Sequence, residues 1–577
     1  MTKASGNRGF WPLRDLPVVV WLVATLAVTL VHPYVPAPRW LMIHLLLLGA
    51  VTHAIVVWSR YFADALLHTP PDAADRRRQS RRLLLLNGGV VAVVAGVLGD
   101  AWVVTLAGAT AVASAVVWHG VTLVLMMRRA LPARFAVTVR YYVAAAALLP
   151  VGVTLGTVLA RGLSDPAYGQ VMLAHAVVNV LGWMGLTVMG TLVTLWPTML
   201  RTRVAEGAEA AATRGLVLLV AAITVSAAGA LAGQRLAVTV GLAGYLAGIA
   251  VLARPAVVAA RGKPPMSFAT WSVAAAVAWL AGSLVALAVG VGTADSWADA
   301  TERVDWLTPF LAAGFGAQVL LGALSYLVPV ALGGGPTPVR AANTALDRGS
   351  ALRITMVNGG LLLSVLPVPS LVRVLVSMLV LVALAAFIPL LFSAVRASRR
   401  AKSTPAAERQ PGPRAPGRPY ARPRGQLAGL AAVGLSALVL ATAAGVAIDP
   451  TALGNGTPAA AADVVPSGET TKVRVRAHDM RFTPDVVAVP AGNRLVIVLE
   501  NTGGSDVHDL VLDTGDRSGR LSPGETAQVD VGVVGRDLDG WCSVVGHRQL
   551  GMELTVKVTG QQVTRDGRDR PAEDQDT

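Results

Sequence analysis

A cysteine, a histidine and a methionine follow one another at intervals of five residues near the end of the chain, at Cys542, His547 and Met552. Cys542 is the only cysteine in 577 residues, so it cannot form an internal disulfide and is better explained as a metal ligand. A second histidine, His508, opens an apolar run upstream. Although single buried Cys and Met side chains often serve packing, two imidazoles, a thiolate and a weak thioether are the donors of a type 1 copper site. We therefore expect these four residues to bind copper.

The segment around these residues resembles a single-domain cupredoxin from about residue 471 to 559. The resemblance rests on Ala477-His478-Asp479-Met480-Arg481-Phe482-Thr483-Pro484, Val489-Pro490-Ala491-Gly492, Leu499-Glu500-Asn501-Thr502-Gly503 and the stretches that contain His508 and Cys542. It implies a β-sandwich with His508, Cys542, His547 and Met552 as copper ligands. His478 matches no ligand position, so we expect it to be a surface or hydrogen-bonding residue.

Alternating patterns predict the strands of this domain at residues 472–476, 495–499, 527–531 and 554–558. A closed site of four ligands leaves no open position for a substrate. By itself, the domain is therefore expected to carry electrons rather than to catalyse a reaction.

The composition of the whole chain is that of a membrane protein. Hydrophobic residues make up 54% and charged residues 14%, and the mean hydropathy is +0.58, which is too apolar for a soluble chain of this length. The net charge of +15 comes largely from Lys and Arg between apolar runs, where a topology signal is the simpler cause. Nucleic acid is excluded as a partner, and membrane lipid is expected.

Thirteen apolar runs are long enough to be predicted as spans. They lie at about 17–33, 40–58, 83–99, 101–127, 137–160, 171–196, 215–232, 236–260, 268–292, 306–331, 352–366, 370–396 and 427–447. The expected fold class is a polytopic all-α transmembrane domain followed by an all-β cupredoxin domain, a Greek-key β-sandwich.

The domain organisation follows from these runs and from composition. We expect a membrane domain of about twelve helices at 1–396, a basic Pro-rich cytoplasmic linker at 397–426, a last transmembrane helix at 427–447, a flexible tether at 448–470, the cupredoxin domain at 471–559 and a disordered tail at 560–577.

Loop charge predicts the orientation in the cell membrane. Arginine-rich segments, among them those at 76–82, 128–134 and 396–424, fall on one side if the spans alternate, and the positive-inside rule places that side and the N terminus in the cytoplasm. An odd number of spans then leaves the cupredoxin domain on the outer face. There an external or membrane redox partner could reach it.

Histidines in the membrane suggest a second cofactor. His44 and His175 each lie about four residues inside the outer end of their runs, the second and the sixth. Two facing imidazoles at one depth are what a bis-histidine b-type haem requires. His53 and His119, in the inner halves of the second and fourth runs, are a second candidate pair. The alternative for each histidine is a hydrogen bond to a neighbouring helix, and for His53 and His119 it is the favoured one.

The sixth run resembles the membrane subunits of the haem–copper oxidase and nitric oxide reductase superfamily and the related NnrS proteins. The stretches that carry this resemblance are Ala174-His175 to Asn179, Gly182-Trp183-Met184-Gly185-Leu186-Thr187-Val188-Met189-Gly190-Thr191, Trp196-Pro197 and, more weakly, residues 314–329. The adjacent-histidine pair and later haem-ligand histidines of oxygen-reducing members are absent, because no membrane histidine follows His175. Oxygen reduction at a haem–copper centre is therefore not expected.

The sequence thus predicts a membrane-anchored copper redox protein, an electron-transfer protein or oxidoreductase component more than a self-sufficient enzyme. Two alternatives stay open. The chain could handle copper, with the cupredoxin domain as a store or sensor, or it could act in nitrogen-oxide stress. Against copper transport, no Met-rich or Cys-bearing run lines a predicted span, as soft-metal transport would favour.

Overall fold

The computed structural model describes residues 12–69, 73–131, 135–403, 424–448, 464–504, 506–544 and 546–560. Most of the predicted linker and tether and all of the tail after residue 560 lie outside these ranges. The chain divides into two compact units, one helical and one built of β-strands, and each is described by itself.

The helical unit contains fifteen helices of seven residues or more in the described ranges. Their bounds are α1 Pro17–Leu30, α2 Pro38–Leu66, α3 Ala73–Leu98, α4 Trp102–Arg129, α5 Ala136–Ala160, α6 Ala167–Leu200, α7 Ala208–Leu231, α8 Arg235–Gly262, α9 Phe268–Gly292, α10 Trp297–Leu332, α11 Pro336–Leu346, α12 Ser350–Val365, α13 Ser370–Ala385, α14 Phe387–Ser403 and α15 Arg424–Ile448. A short helix, Pro12–Asp15, precedes α1, and a 3₁₀ turn, His32–Tyr34, follows it.

Eleven of these helices are long and apolar enough to cross a membrane, when α13 and α14 are counted as one span, Leu371–Ser403. The helices α1 and α12 are apolar but shorter. Each of the thirteen predicted runs falls on one of these elements, and the chain has the pattern of a multi-pass membrane protein. α11 was not predicted, and α14 continues to Ser403. The first residues of the predicted extended linker are therefore helical, because no Pro stands between Arg396 and Ser403 to end the helix.

Three long helices contain a widened, π-helical segment. These segments are Leu45–Val51 in α2, Val177–Gly185 in α6 and Phe310–Ala317 in α10. A side chain donates a hydrogen bond to a carbonyl oxygen inside each of them, with distances between 2.9 and 3.1 Å: Thr52 to Leu47, Tyr245 to Leu181 and Gln318 to Gly314. Such segments occur frequently at functional sites.

The β unit is a sandwich of two four-stranded sheets. Its strands are β1 Thr470–His478, β2 Arg481–Thr483, β3 Val486–Pro490, β4 Arg494–Asn501, β5 Val511–Leu512, β6 Thr526–Val533, β7 Leu538–Trp541 and β8 Glu553–Thr559. The sheet orders are β2-β1-β4-β6 and β3-β8-β7-β5, with parallel pairing only between β1 and β4 and between β3 and β8 among these strands.

One hydrophobic core fills the space between the two sheets. Along β1, Val475 and Ala477 are buried while Arg474 and Arg476 are exposed, the alternation of a strand with one face on a core. The same core takes Ile497 from β4 and residues from every other strand. All four strands expected from the sequence are present, and the predicted fold class is confirmed as a unit of long apolar helices followed by an all-β sandwich.

Candidate metal centre

Three of the four predicted copper ligands lie together in the β unit. His508, Cys542 and His547 can place one donor atom each within 4.8 Å of one another. The Nδ1 atoms of the two histidines are 3.2 Å apart, and the Cys542 Sγ is 3.6 Å from the His547 Nδ1. All three side chains are buried, with His547 the most exposed at 5%. The group has the donors of a type 1 copper site.

Cys542 and Met552 are brought side by side by the pairing of β7 and β8. Cys542 follows the last residue of β7, and its backbone N–H donates to the Met552 carbonyl oxygen, 3.1 Å away. The Met552 N–H in turn donates to the His547 carbonyl oxygen at 3.1 Å. Gly551 has a φ of +101°, which lets the chain turn back between these residues. The Met552 side chain is fully buried in the same core as Cys542, where a thioether ligand would have to lie.

His508 is fixed by backbone pairing and by a buried amide. Its N–H donates to the Leu521 carbonyl oxygen at 3.2 Å and the Leu521 N–H returns a bond of 2.8 Å. Asn501, fully buried, donates through Nδ2 to the carbonyl oxygens of Asp506 and Leu521 at 2.8 and 2.9 Å. Its Oδ1 accepts the Gly503 N–H at 3.0 Å. Asn501 therefore holds the loop that leads to His508.

Asp509 is a residue of this site that the sequence did not single out. Its side chain is buried, and its two oxygens accept hydrogen bonds from the backbone N–H and the hydroxyl of Ser543, each 2.6 Å long. Because Asp509 follows His508 and Ser543 follows Cys542, this contact ties two ligand-bearing loops together. In the sequence, the only indication of its role was its place directly after the candidate ligand His508.

The environment of the site favours metal binding by neutral imidazoles. Burial, and then the neighbouring His547, lowers the pKa of His508 to about 4, and burial lowers the pKa of His547 as well. Burial, and then the Asp509 carboxylate, raises the pKa of the Cys542 thiol, against the opposing effect of backbone hydrogen bonds from Asp509 and Val544. At neutral pH the imidazole lone pairs are available, and a metal would displace the thiol proton.

His478 lies outside this group of donors, as expected. Its Nε2 is 3.0 Å from the Thr483 Oγ1 and its Nδ1 is 3.3 Å from the Asp479 Oδ2. The side chain is 39% exposed. It serves as a hydrogen-bonding residue at the surface of the β unit.

In the helical unit, His44 of α2 and His175 of α6 lie close together. Their ring centroids are 6.4 Å apart and the ring planes differ by 28°. The His44 Nδ1 is 2.8 Å from the Trp40 carbonyl oxygen, and the His175 Nδ1 is 2.8 Å from the Gly152 carbonyl oxygen. A carbonyl only accepts, so each Nδ1 donates and each Nε2 keeps a lone pair. The Asn179 Nδ2 also lies 3.2 Å from the His175 Nδ1, but its shorter bond, of 2.8 Å, goes to the His175 carbonyl oxygen.

Small residues and widened helices surround this histidine pair. A Cβ at Gly156 of α5 would lie 2.7 Å from the His175 Cε1, so only glycine lets α5 come this near to the ring. The π-helical segment of α2 begins at Leu45, directly after His44, and that of α6 begins at Val177. The Nε2 atoms of His44 and His175 form no hydrogen bond with the part of the chain that the structure describes.

His53 and His119 are not paired with each other by these bonds. The His53 Nε2 is 3.0 Å from the Arg14 carbonyl oxygen, and its Nδ1 is 3.0 Å from the Asn87 Nδ2. The His119 Nε2 is 2.8 Å from the Ser59 Oγ, and its Nδ1 is 2.9 Å from an Arg82 nitrogen. Both nitrogens of each ring are therefore used by protein groups. The geometry gives the candidate haem role of His53 and His119 no support and agrees with the hydrogen-bonded alternative.

No protein-family model matches the chain, and no curated protein does either. Among solved structures, auracyanin B is 19% identical, with a TM-score of 0.15, over 17% of this chain and 96% of its own. A sodium-dithionite-reduced auracyanin from the photosynthetic bacterium Roseiflexus castenholzii is 15% identical, with a TM-score of 0.15, over 16% of this chain and 100% of its own.

Architecture and donor set define the class of the protein, a multi-pass membrane protein with a C-terminal cupredoxin-like domain and a buried His-Cys-His group. The comparisons do not support the resemblance of the membrane helices to haem–copper oxidase, nitric oxide reductase or NnrS subunits.

Proposed function

We propose that the protein is a membrane-anchored copper redox protein whose β unit binds one type 1 copper ion and passes single electrons. The observation that carries this proposal is the buried group of His508, Cys542 and His547, with donor atoms within 4.8 Å. Met552, buried beside Cys542, supplies the weak thioether. Copper supplies the one-electron couple, and the chain holds its donors in place in a dry site.

Electron transfer suits this site better than catalysis. Its ligand side chains are at most 5% exposed, and four protein ligands leave no position for a substrate. The proposed partner is an external or membrane-bound redox protein. It would exchange electrons with the copper at the surface of the β unit.

The test of this function is the colour of the oxidised full-length protein. A thiolate bound to copper(II) gives intense visible absorption, so we expect the wild type to be blue with one copper per chain and Cys542→Ser to be colourless. His478→Ala, a matched change of a histidine outside the group, should keep the colour. Survival of the blue band in Cys542→Ser would refute the ligand assignment.

We propose in addition that His44 and His175 bind a b-type haem whose electrons the copper exchanges. Two features support this role: each histidine keeps the Nε2 lone pair, and the Nδ1 proton of each is bound to a carbonyl oxygen, which is how ligand histidines are commonly oriented. A b-type haem supplies a one-electron iron centre between two imidazoles. The optical spectrum of the purified protein tests haem binding. A copper-loaded wild type without haem bands would exclude a haem at His44 and His175.

The proposed orientation places the N terminus in the cytoplasm and the β unit on the outer face of the cell membrane. Its support is the bias of Lys and Arg toward one set of loops. Protease added to intact cells should release the β unit by cutting the predicted tether, 448–470. If external protease does not cut the tether, the proposed position of the β unit on the outer face is wrong.

A further inference from the structure

One strand of the β unit carries a row of basic residues on its solvent side. In β1 the residues that alternate with the buried Val475 and Ala477 are exposed, and three of them are basic: Lys472, Arg474 and Arg476. Successive residues on one side of a strand are about 7 Å apart. The row therefore concentrates three positive charges within a short length of the sheet.

The neighbouring strands extend this row. Arg481 of β2 is exposed and pairs with His478 of β1, and the exposed Arg494 opens β4, which runs parallel to β1. The acidic residues on the outer side of this sheet are Glu500 of β4 and Asp530 of β6. We call this outer side the basic face, with Lys472, Arg474, Arg476, Arg481 and Arg494 as its basic residues.

The charge of the β unit is asymmetric as a result. Residues 464–560 contain ten Lys and Arg and thirteen Asp and Glu. The basic face has five of the ten basic residues and two of the thirteen acidic ones, so it is positive while the remainder of the unit is negative. Surface charge that only keeps a domain soluble is usually mixed in sign, so solubility does not account for this separation.

Most of these positive charges are not neutralised within the unit. The Arg474 Nη1 is 3.8 Å from the Glu500 Oε2, but the Arg474 side chain is 72% exposed. Arg494 is paired with Asp530. The other three basic residues form no ion pair with the part of the chain that the structure describes: Lys472, Arg476 and Arg481. Their charges are available to a partner of opposite sign.

The connection to the last apolar helix indicates which partner this is. The helix α15 ends at Ile448, and the described part of the β unit begins at residue 464. The fifteen intervening residues can span at most about 55 Å. A bilayer that contains α15 is therefore always within reach of the β unit, whereas a soluble acidic protein must first diffuse to it.

We propose that the basic face is a docking surface for the anionic phospholipid headgroups of the membrane that contains the helices. Lys and Arg are attracted to anionic lipid, and the attraction falls off within a Debye length, about 10 Å at 0.1 M salt. Acidic residues on the far side of the unit therefore do not prevent contact. Because the proposed copper ligands lie in loops between strands and not on this face, docking orients the β unit without covering them.

Two lysines allow a test in the full-length wild type. Lys472 lies on the basic face, and Lys557, also exposed, lies on β8 in the other sheet. The protein is placed in lipid nanodiscs, which leave both sides of the bilayer accessible, and is acetylated with a water-soluble amine reagent. Mass spectrometry gives the ratio of Lys472 to Lys557 labelling in discs of phosphatidylcholine alone and in discs where phosphatidylglycerol replaces one third of it.

The expected result is protection of Lys472 that depends on lipid charge and on salt. At about 0.1 M salt the labelling ratio should be at least threefold lower in the anionic discs, and at about 1 M salt, where the Debye length is about 3 Å, the two discs should give equal ratios. Equal ratios at the lower salt concentration would overturn the proposal. If both ratios then rise with salt, an acidic protein surface and not lipid covers the face.

Two charge reversals separate the basic face from the total charge of the unit. Arg476→Glu keeps a charged residue at an exposed position and should reduce the effect of anionic lipid on the ratio to less than twofold. Arg536→Glu, in the loop before β7, is the matched control and should keep the threefold effect. An equal loss in both variants would overturn the role of the face. The wild-type comparison decides the proposal if either variant does not fold.

Discussion

The β unit and the helical unit each bring two histidines together, but they leave opposite ring nitrogens available. In the β unit the Nδ1 atoms of His508 and His547 face each other, and the His547 Nδ1 also lies near the Cys542 sulfur. In the helical unit the Nδ1 atoms of His44 and His175 are bound to carbonyl oxygens, and the Nε2 atoms keep their lone pairs. In the helical unit, the hydrogen bond of Nδ1 thus leaves Nε2 as the nitrogen that can bind a metal.

The number of donors separates the two sites further. The β unit adds a thiolate and a thioether to its imidazoles, so the chain can complete a copper site alone. The helical unit offers two imidazoles, which suit a cofactor such as haem that brings its own equatorial ligands. His53 and His119 have protein partners at both nitrogens and serve as an internal reference for histidines without a metal.

The largest expected effect follows from this contrast within the helical unit. His44→Ala or His175→Ala should abolish the low-spin haem signal, because loss of one axial ligand changes the spin state of the iron. His53→Gln is the matched control and should keep the signal. Copper content and colour should be unchanged in all three variants. If His53→Gln removes the haem signal while His44→Ala keeps it, the assignment of the haem to His44 and His175 is wrong.

A second prediction concerns protons at the β site. Burial raises the pKa of the Cys542 thiol and lowers that of His508 to about 4. Because the thiol keeps its proton at neutral pH and the imidazoles are neutral, copper(I) should displace one proton, and its affinity should rise about tenfold per pH unit near neutrality. Protonation of His508, whose pKa is lowered, should compete only when the pH falls toward about 4. Chelator competition across pH measures this slope.

Two other outcomes of that titration would contradict the account of the β site. An affinity independent of pH would mean that the thiolate exists before copper binds. A slope of two protons near neutrality would mean that a histidine is charged in the copper-free site.

The smallest expected effect tests the packing behind His175. In Gly156→Ala the new Cβ would lie 2.7 Å from the His175 Cε1, so the ring must tilt, and we expect partial loss or a spectral shift of the haem signal. Gly88→Ala is the matched control, since a Cβ there meets no atom within 4 Å. Equal haem spectra in both variants would show that this approach of α5 does not position His175.

Much of this organisation could be predicted because its signals are local in the sequence. Apolar runs located the helices, and alternation located the strands of the β unit. The Cys542, His547 and Met552 spacing located a loop whose backbone folds on itself through short-range bonds. His508 lies far from the other three ligands in sequence, so only its place at the start of an apolar run singled it out before the cupredoxin resemblance was considered.

Other features could not be predicted because they depend on contacts across the chain. The depth of a histidine gives one coordinate of its position. The rings of His44 and His175, predicted at one depth, lie 6.4 Å apart, whereas His53 and His119, both predicted in the inner halves of their spans, have other partners. Periodicity did not reveal the π-helical segments. The contact between Asp509 and Ser543 spans 34 residues of sequence.

The most direct test of the central claim is X-ray absorption at the copper edge of the oxidised full-length protein. We expect two nitrogen ligands and one short sulfur ligand in the wild type, from His508, His547 and Cys542. The short sulfur contribution should disappear in Cys542→Ser. Copper coordinated in the wild type by nitrogen and oxygen alone would contradict a type 1 site in the β unit.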